Sequence, residues 1–315
     1  MYIYLLYTII ILVVVLVNYN QISAFMLAVS LVLIASPLAV GIGYKVKPDI
    51  FCKIIIISMI VTGLYSVLQW TIGIEATKIP GLNIAYGDTF ADKPIGYGYG
   101  GMEAIKMPST YQNGNGVALF FLLAIFLIIP WKTNKKVWKV IAILLAITGI
   151  ILSGSRTALI PFILLIPYTI KKIYNRLKTK NQKILLLIIS IIAISSAIFY
   201  ILYSNSELIE YVYNRYIVET INDPTGSGRT TQIQNVLQTI TDKNFIISIK
   251  NLILGVQWSD AVFSEGIFYI VSYYGMVVAT TFCMLLIYPI IKLYKHNKIE
   301  MLGLLAGFIA FMVDS

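Results

Sequence analysis

The sequence predicts an all-α fold, a polytopic transmembrane helix bundle with a helical external loop, and three observations carry that expectation. First, 58% of the 315 residues are hydrophobic and only 12% are charged, whereas a soluble domain carries charge on about a quarter of its residues. Second, apolar runs of roughly 20 residues recur along the chain, each long enough to cross a hydrocarbon core of ~30 Å as a helix. Third, those runs are continuous and lack the two-residue alternation of a membrane β-barrel, which excludes that architecture.

In chain order the runs place nine spans, at 2–17, 22–44, 51–72, 115–131, 137–153, 157–170, 184–203, 266–291 and 300–315. No basic residue precedes the first run and no small-residue cleavage site follows it, so it reads as a retained span and not as a signal peptide. Lys45, Lys47 and Lys53 divide the second span from the third, and Lys132, Lys135, Lys136 and Lys139 divide the fourth from the fifth. The fifth and sixth are joined by a hairpin of a few residues around Gly154; the basic stretch Lys171–Lys183 separates the sixth from the seventh. Lys292, Lys295 and Lys298 separate the eighth from the ninth, whose run ends at Ser315 and is either barely complete or cut short.

With a cytoplasmic amino terminus, the inside segments hold 16 of the 24 Lys and Arg, and the outside segments hold 11 of the 14 acids. Every loop alternates correctly under the positive-inside rule. The net charge of +10 therefore reflects topology and anionic inner-leaflet lipid, and gives no reason to expect nucleic acid. The chain reads as one integral membrane domain over 1–315, with external segments at 73–114 and 204–265.

Function is expected on the outer face, because the inside loops are short and merely basic. Cys52 and Cys283 sit in or beside apolar runs and read as small buried hydrophobes, and the lone His296 lies in a basic loop. No catalytic triad, histidine metal site or cofactor is expected. The glycine run Tyr97–Gly101 follows no strand and opens no helix, so it reads as a flexible loop and not a dinucleotide fingerprint. Asn113 and Asn115 place amides at the mouth of the fourth span, where they either bind a hydroxylated ligand or make a tight turn with a helix cap.

In the second external segment, Leu208, Ile209, Val212, Tyr213, Tyr216 and Ile217 recur at helical spacing, which predicts an amphipathic surface helix over 207–220. The turn Asp223–Arg229 then leads into a helix with the stripe Ile233, Val236, Leu237 and Ile240. Three of the four arginines, Arg156, Arg215 and Arg229, fall outside against the charge rule. Arg156 is the sharpest case, since the hairpin that holds it leaves the charge at the outer membrane boundary, an expensive position unless it is paired or faces a polar cavity. The plain alternative for all three is snorkelling to lipid headgroups. Arginine suits bidentate recognition of phosphate oxygens, and Arg229 at a helix start adds backbone N–H groups to such a site. Glu265 borders the eighth span, where partial desolvation suits a carboxyl to proton transfer; Asp260 precedes it in the same segment.

Four motifs then stand in order: Ser109-Thr110-Tyr111-Gln112-Asn113-Gly114-Asn115-Gly116, Leu152-Ser153-Gly154-Ser155-Arg156-Thr157-Ala158, Gly226-Ser227-Gly228-Arg229, and Leu254-Gly255-Val256-Gln257-Trp258 followed by Ser264-Glu265-Gly266-Ile267-Phe268-Tyr269. Together they resemble the O-antigen ligase and polymerase superfamily from about residue 100 to 290. The resemblance implies a bacterial inner (plasma) membrane and, in it, a metal-independent glycosyltransferase with a polyprenyl-pyrophosphate-linked oligosaccharide as donor, acting as repeat-unit polymerase of a surface polysaccharide. It also implies that Arg156 and Arg229 hold the pyrophosphate and that Glu265 stands where the family places an acid or a histidine. A chain-length regulator and a flippase would be its protein partners. A ligase passing the finished glycan to another acceptor is the alternative within the family, and the lack of an external histidine leans towards polymerase. A flippase or transporter of lipid-linked sugars is the rival of another class; acids are nearly absent from mid-span and no broken-helix pair is apparent in the sequence.

Overall fold

The computed structural model of the chain describes residues 2–21, 24–43, 46–77, 106–111, 114–133, 136–176, 207–222, 229–241, 244–261, 266–294 and 298–313, with positions 179, 181 and 184. The described residues form helices and no strand. The helices are α1 (Tyr2–Val17), α2 (Ala24–Gly43), α3 (Pro48–Ile72), α4 (Ile74–Thr77), α5 (Gly114–Ile128), α6 (Lys136–Leu152) and α7 (Arg156–Arg176). They continue as α8 (Glu207–Tyr213), α9 (Glu219–Asn222), α10 (Arg229–Ile240), α11 (Phe245–Leu254), α12 (Gly266–Tyr294) and α13 (Lys298–Val313). Each expected span coincides with a helix except 184–203, of which only Ile184 is described. Among the described residues two helices, α3 and α12, are long and apolar enough to cross a membrane.

Two apolar bodies make the bundle. In the first, α3, α5, α6 and α7 pack around Met59, Val117, Phe121, Leu122, Ala146 and Ile150. Gly63 lies so close to α6 that a Cβ there would stand 2.7 Å from Leu145 Cβ, a small-residue contact that lets two helix backbones approach. The second body gathers α1, α2, α10 and α12 around Tyr7, Ile11, Val236, Trp258 and Tyr274. α13 joins the two, packing on α5 and α7 on one side and on α12 on the other. Its Gly303 and Gly307 seat Phe126 and Leu123 of α5. Outward residues such as Leu12 and Leu16 on α1, Ile57 and Leu64 on α3 and Leu164 on α7 are exposed and apolar.

Helix order alternates the ends of the bundle. A lower end carries the joints before α3, between α5 and α6 and between α12 and α13; an upper end carries the end of α1, the start of α5, the α6–α7 turn and the start of α12. At the lower end Trp131 Nε1 donates to Asp49 Oδ1 at 2.7 Å, and Lys139 Nζ donates to Ile129 O at 2.7 Å and Trp131 O at 2.8 Å. A cation thereby caps the carbonyls that end α5, where the helix dipole favours positive charge.

Two differences from the sequence reading concern the second external segment. The expected helix over 207–220 is interrupted: a π-turn over Asn214–Val218 separates α8 from α9. The helix after Arg229 forms as expected with Val236 and Ile240 buried, but Leu237 is exposed, and α11 was not anticipated. α12 is also broken, because Gly275 has φ 83° and ψ 168° inside it. The sequence reading found no broken-helix pair; here is one broken helix, hidden because a glycine inside an apolar run looks like any packing glycine.

Candidate functional site

The upper end of the first body is built around the turn Ser153-Gly154-Ser155. Gly154 ends α6 with φ 64°, a left-handed conformation that favours glycine. A Cβ there would stand 2.7 Å from the Tyr211 hydroxyl, 3.2 Å from Arg215 Nε and 3.2 Å from Lys106 Cγ. Two segments distant in sequence thus meet over one glycine, beside a third that begins next to it.

The first is α8 with its π-turn. Tyr211 and Arg215 share a face at i, i+4 spacing, and the wider π-turn brings Tyr216 to that face as well. Tyr211 donates its hydroxyl to Leu152 O at 3.1 Å, Arg215 donates Nε to Gly154 O at 2.9 Å, and Tyr216 reaches Ile150 O at 3.2 Å and Ile151 O at 3.0 Å. These carbonyls lie at the C-terminal end of α6, so α8 and its π-turn help to cap that end. Arg215 is 6% exposed. Burial pushes the Tyr216 phenol well above its ordinary range, a neighbouring tyrosine, Tyr211, adding to the effect, so the hydroxyl stays a donor at all physiological pH.

The second is the segment before α5. Gln69 on α3 reads the backbone of Ser109 in both directions: Ser109 N donates to Gln69 Oε1 at 2.7 Å and Gln69 Nε2 donates to Ser109 O at 3.3 Å. Ser109 Oγ donates to Thr62 O at 2.7 Å and Met107 N donates to Leu152 O at 3.1 Å. This pins Lys106 beside the turn, where its Nζ donates to Asn115 Oδ1 at 3.4 Å. Gly114 opens α5 against the Ser153 carbonyl and the Lys106 side chain, with no room for a Cβ.

The third is the start of α7. Ser155 N donates to Ser153 Oγ at 3.2 Å, Ser155 Oγ and Thr157 Oγ1 lie 3.0 Å apart, and Arg156 is half-buried at the first helical position. The N-termini of α5 and α7 and the side chains of Lys106 and Arg215 therefore meet at one turn, and Arg156 follows it as the first residue of α7. Such an arrangement attracts an anion, since helix N-termini and guanidinium groups act with the same sign.

Of the residues singled out from sequence, Asn115, Arg156 and Arg215 meet at this turn. Asp260 does not join them: it is exposed, accepts from Ser259 Oγ at 3.0 Å, and sits on the other body beside the end of α1, where Ser259 N donates to Gln21 Oε1 at 2.9 Å. Arg229 opens α10, as expected, although its side chain lies outside the described residues. Asn113, the turn 223–228, the run Tyr97–Gly101, His296 and Glu265 also lie outside them. Lys106, Gln69 and Tyr211 do not stand out in the sequence, and Tyr216 stands out only as part of the apolar stripe of 207–220, because nothing local in the sequence announces a contact made by tertiary packing. Among the described residues no group of His, Cys, Asp and Glu is placed to hold a metal ion. Comparison finds no family model, no curated protein and no solved structure that matches the chain.

Proposed function

We propose that the chain is a multi-pass protein of a bacterial inner membrane, with nine spans and its upper end outside. There it acts as a glycosyltransferase that polymerises polyprenyl-pyrophosphate-linked repeat units into a surface polysaccharide. The observation that carries this reading is the meeting of Lys106 and Arg215 with two helix N-termini, one of them opened by Arg156, at the Ser153–Ser155 turn. In the proposed reaction these groups stabilise the charge that develops on the leaving pyrophosphate, as preorganised cations and dipoles do. Arg229 would add a further guanidinium and Glu265 would orient or deprotonate the attacking sugar hydroxyl, roles carried by the motif resemblance. Asn113 and Asn115 would take sugar hydroxyls, and Asp260 an outlying part of the glycan. No metal or cofactor is assigned a role.

The groove between α10, α11 and α12 supports the lipid part of the reading. It has a volume of about 360 Å³ and is lined by Val236, Leu237, Ile240, Phe245, Leu252 and Val271. α10 begins at Arg229 and lines this groove further along, so one helix offers a site for an anion at its start and for hydrocarbon on its flank. An isoprenoid chain fits that chemistry.

The deciding experiment incubates purified protein in nanodiscs with polyprenyl-pyrophosphate-linked repeat units and EDTA and resolves the products on a gel. A ladder of lipid-linked oligomers is expected. Its absence with native donor refutes the polymerase, and transfer to an added acceptor would then identify a ligase. The break in α12 at Gly275 favours a transporter as second reading, which a flipping assay on the same nanodiscs tests.

A further inference from the structure

The break in α12 has a partner in the segment that follows α11. A residue at φ 83° and ψ 168° cannot carry the helical hydrogen bonds that run through it, and the carbonyls of the residues just before it are released. Two of those carbonyls are taken from outside the helix. Val256 N donates to Ser272 O at 2.9 Å, and Trp258 Nε1 donates to Tyr273 O at 3.1 Å. The fit is interlocking: a Cβ at Gly255 (φ 84°) would stand 2.7 Å from Tyr273 O, and a Cβ at Gly275 would stand 2.7 Å from Gly255 N and closer still to Ile253 O. The strap Gly255–Ser259 is tied at its far end to α1, where Trp258 N donates to Asn18 Oδ1 at 3.0 Å and Ser259 N to Gln21 Oε1 at 2.9 Å.

We infer that this strap and the break at Gly275 form a reversible latch. When the strap is docked, it holds α12 open at Gly275; when it leaves, α12 closes its own hydrogen bonds through Gly275, and the strap lifts from α1 together with Asp260. The two arrangements compete because they use the same carbonyls, and the docked strap occupies the gap that rejoining the helix would close. The balance is close for two reasons. The strap replaces helical bonds with bonds of the same kind, and the docked state leaves Ser272 Oγ fully buried without a hydrogen-bond partner. The strap lies at the upper end, so its release changes access to that end from the side of α1. The inference stands apart from the transferase reading and is tested without any turnover.

The test uses full-length protein carrying Cys283→Ala and Val256→Cys, labelled in detergent with a maleimide and read peptide by peptide by mass spectrometry. Val256 is 3% exposed, and native Cys52, 7% exposed at the lower end, reports global unfolding in the same sample. The introduced thiol is expected to label at least roughly tenfold faster than Cys52, because a latch opens locally. Equal, slow labelling of both thiols would overturn the latch. Gly255→Ala, which blocks docking from the strap side, and Gly275→Ala, which does so from the helix side, should each raise labelling of the introduced thiol a further roughly tenfold. Cys52 should stay protected. If either substitution also exposes Cys52, the other variant and the parent comparison still decide, and unchanged labelling in a folded variant counts against the latch.

Discussion

At the scale of single residues, the turn site separates two kinds of cation that the sequence presents alike. Arg215 is buried and donates to Gly154 O, so it fastens α8 to the end of α6 before it can do anything else. Arg215→Lys keeps the charge but loses the Nε donor, and is expected to lower stability by roughly 1.5–3 kcal/mol, measured by thermal unfolding in detergent. Lys106 is half-buried, its stem is held between Gly114 and Gly154, and its head reaches Asn115. Lys106→Met should weaken donor binding several-fold while leaving the unfolding midpoint in place; a lowered midpoint with unchanged binding would make it structural. Arg156→Ala and Arg229→Ala are expected to abolish chain elongation with normal membrane insertion, and Lys at either position should recover little, since a point charge does not replace a planar fork. Normal polymer length in both alanine variants would remove these residues from the site. Tyr216 adds a pH dependence. Burial raises its phenol above the ordinary value of 10.0, so its contribution is fully present below pH 10.0 and is lost as pH rises beyond it. Hydrogen exchange at the α6 C-terminus should accelerate above pH 10.0 in the native protein and should not show that step in Tyr216→Phe.

At the scale of elements, the sequence made the long helices legible because each is a long apolar run, most of them set off by basic or polar residues, and run length fixes most of their ends to within a few residues. It concealed what depends on contact across the bundle. Lys139 counted as one of the basic residues that orient the chain, yet its ammonium caps α5 through Ile129 O and Trp131 O. Lys139→Met is therefore expected to destabilise the lower end, lowering the unfolding midpoint as two charge-assisted bonds of roughly 1.5–3 kcal/mol each are lost, in a way no orientation rule anticipates. α11 is hidden because its ten residues, seven of them apolar, lie in a stretch read as external loop and are too short for a span. The break in α12 escaped because its two glycines, Gly255 and Gly275, explain each other only once folded together. Arg156 was legible for the opposite reason: a charge in a hairpin of a few residues between two apolar helices has nowhere else to go.

At the scale of the whole molecule, chain order and side-chain contacts assign the joints among the described residues to one of two ends, and the proposed topology puts those ends on the two sides of a membrane. Asp49 with Trp131, and Lys139 with the end of α5, lie at one end; Gln69 with Ser109, Arg215 with Gly154, and Gln21 with Ser259 lie at the other. Under the proposed topology the cations of the first end are the ones the positive-inside rule holds in the cytoplasm, and the arginine turn is then expected to face outward. This has a direct consequence for labelling. In a background with Cys52 and Cys283 replaced, a thiol introduced by Ser259→Cys, an exposed position at the upper end, should react with a membrane-impermeant maleimide on intact cells. One introduced by Lys132→Cys, exposed at the lower end, should react only after the cells are opened. The reverse pattern would turn the turn site towards the cytoplasm, where no extracytoplasmic polymer could reach it, and would refute the transferase reading together with the topology. Reaction of both thiols on intact cells would refute the spanning bundle itself, because the two positions are separated by helices whose apolar flanks have no other medium to face.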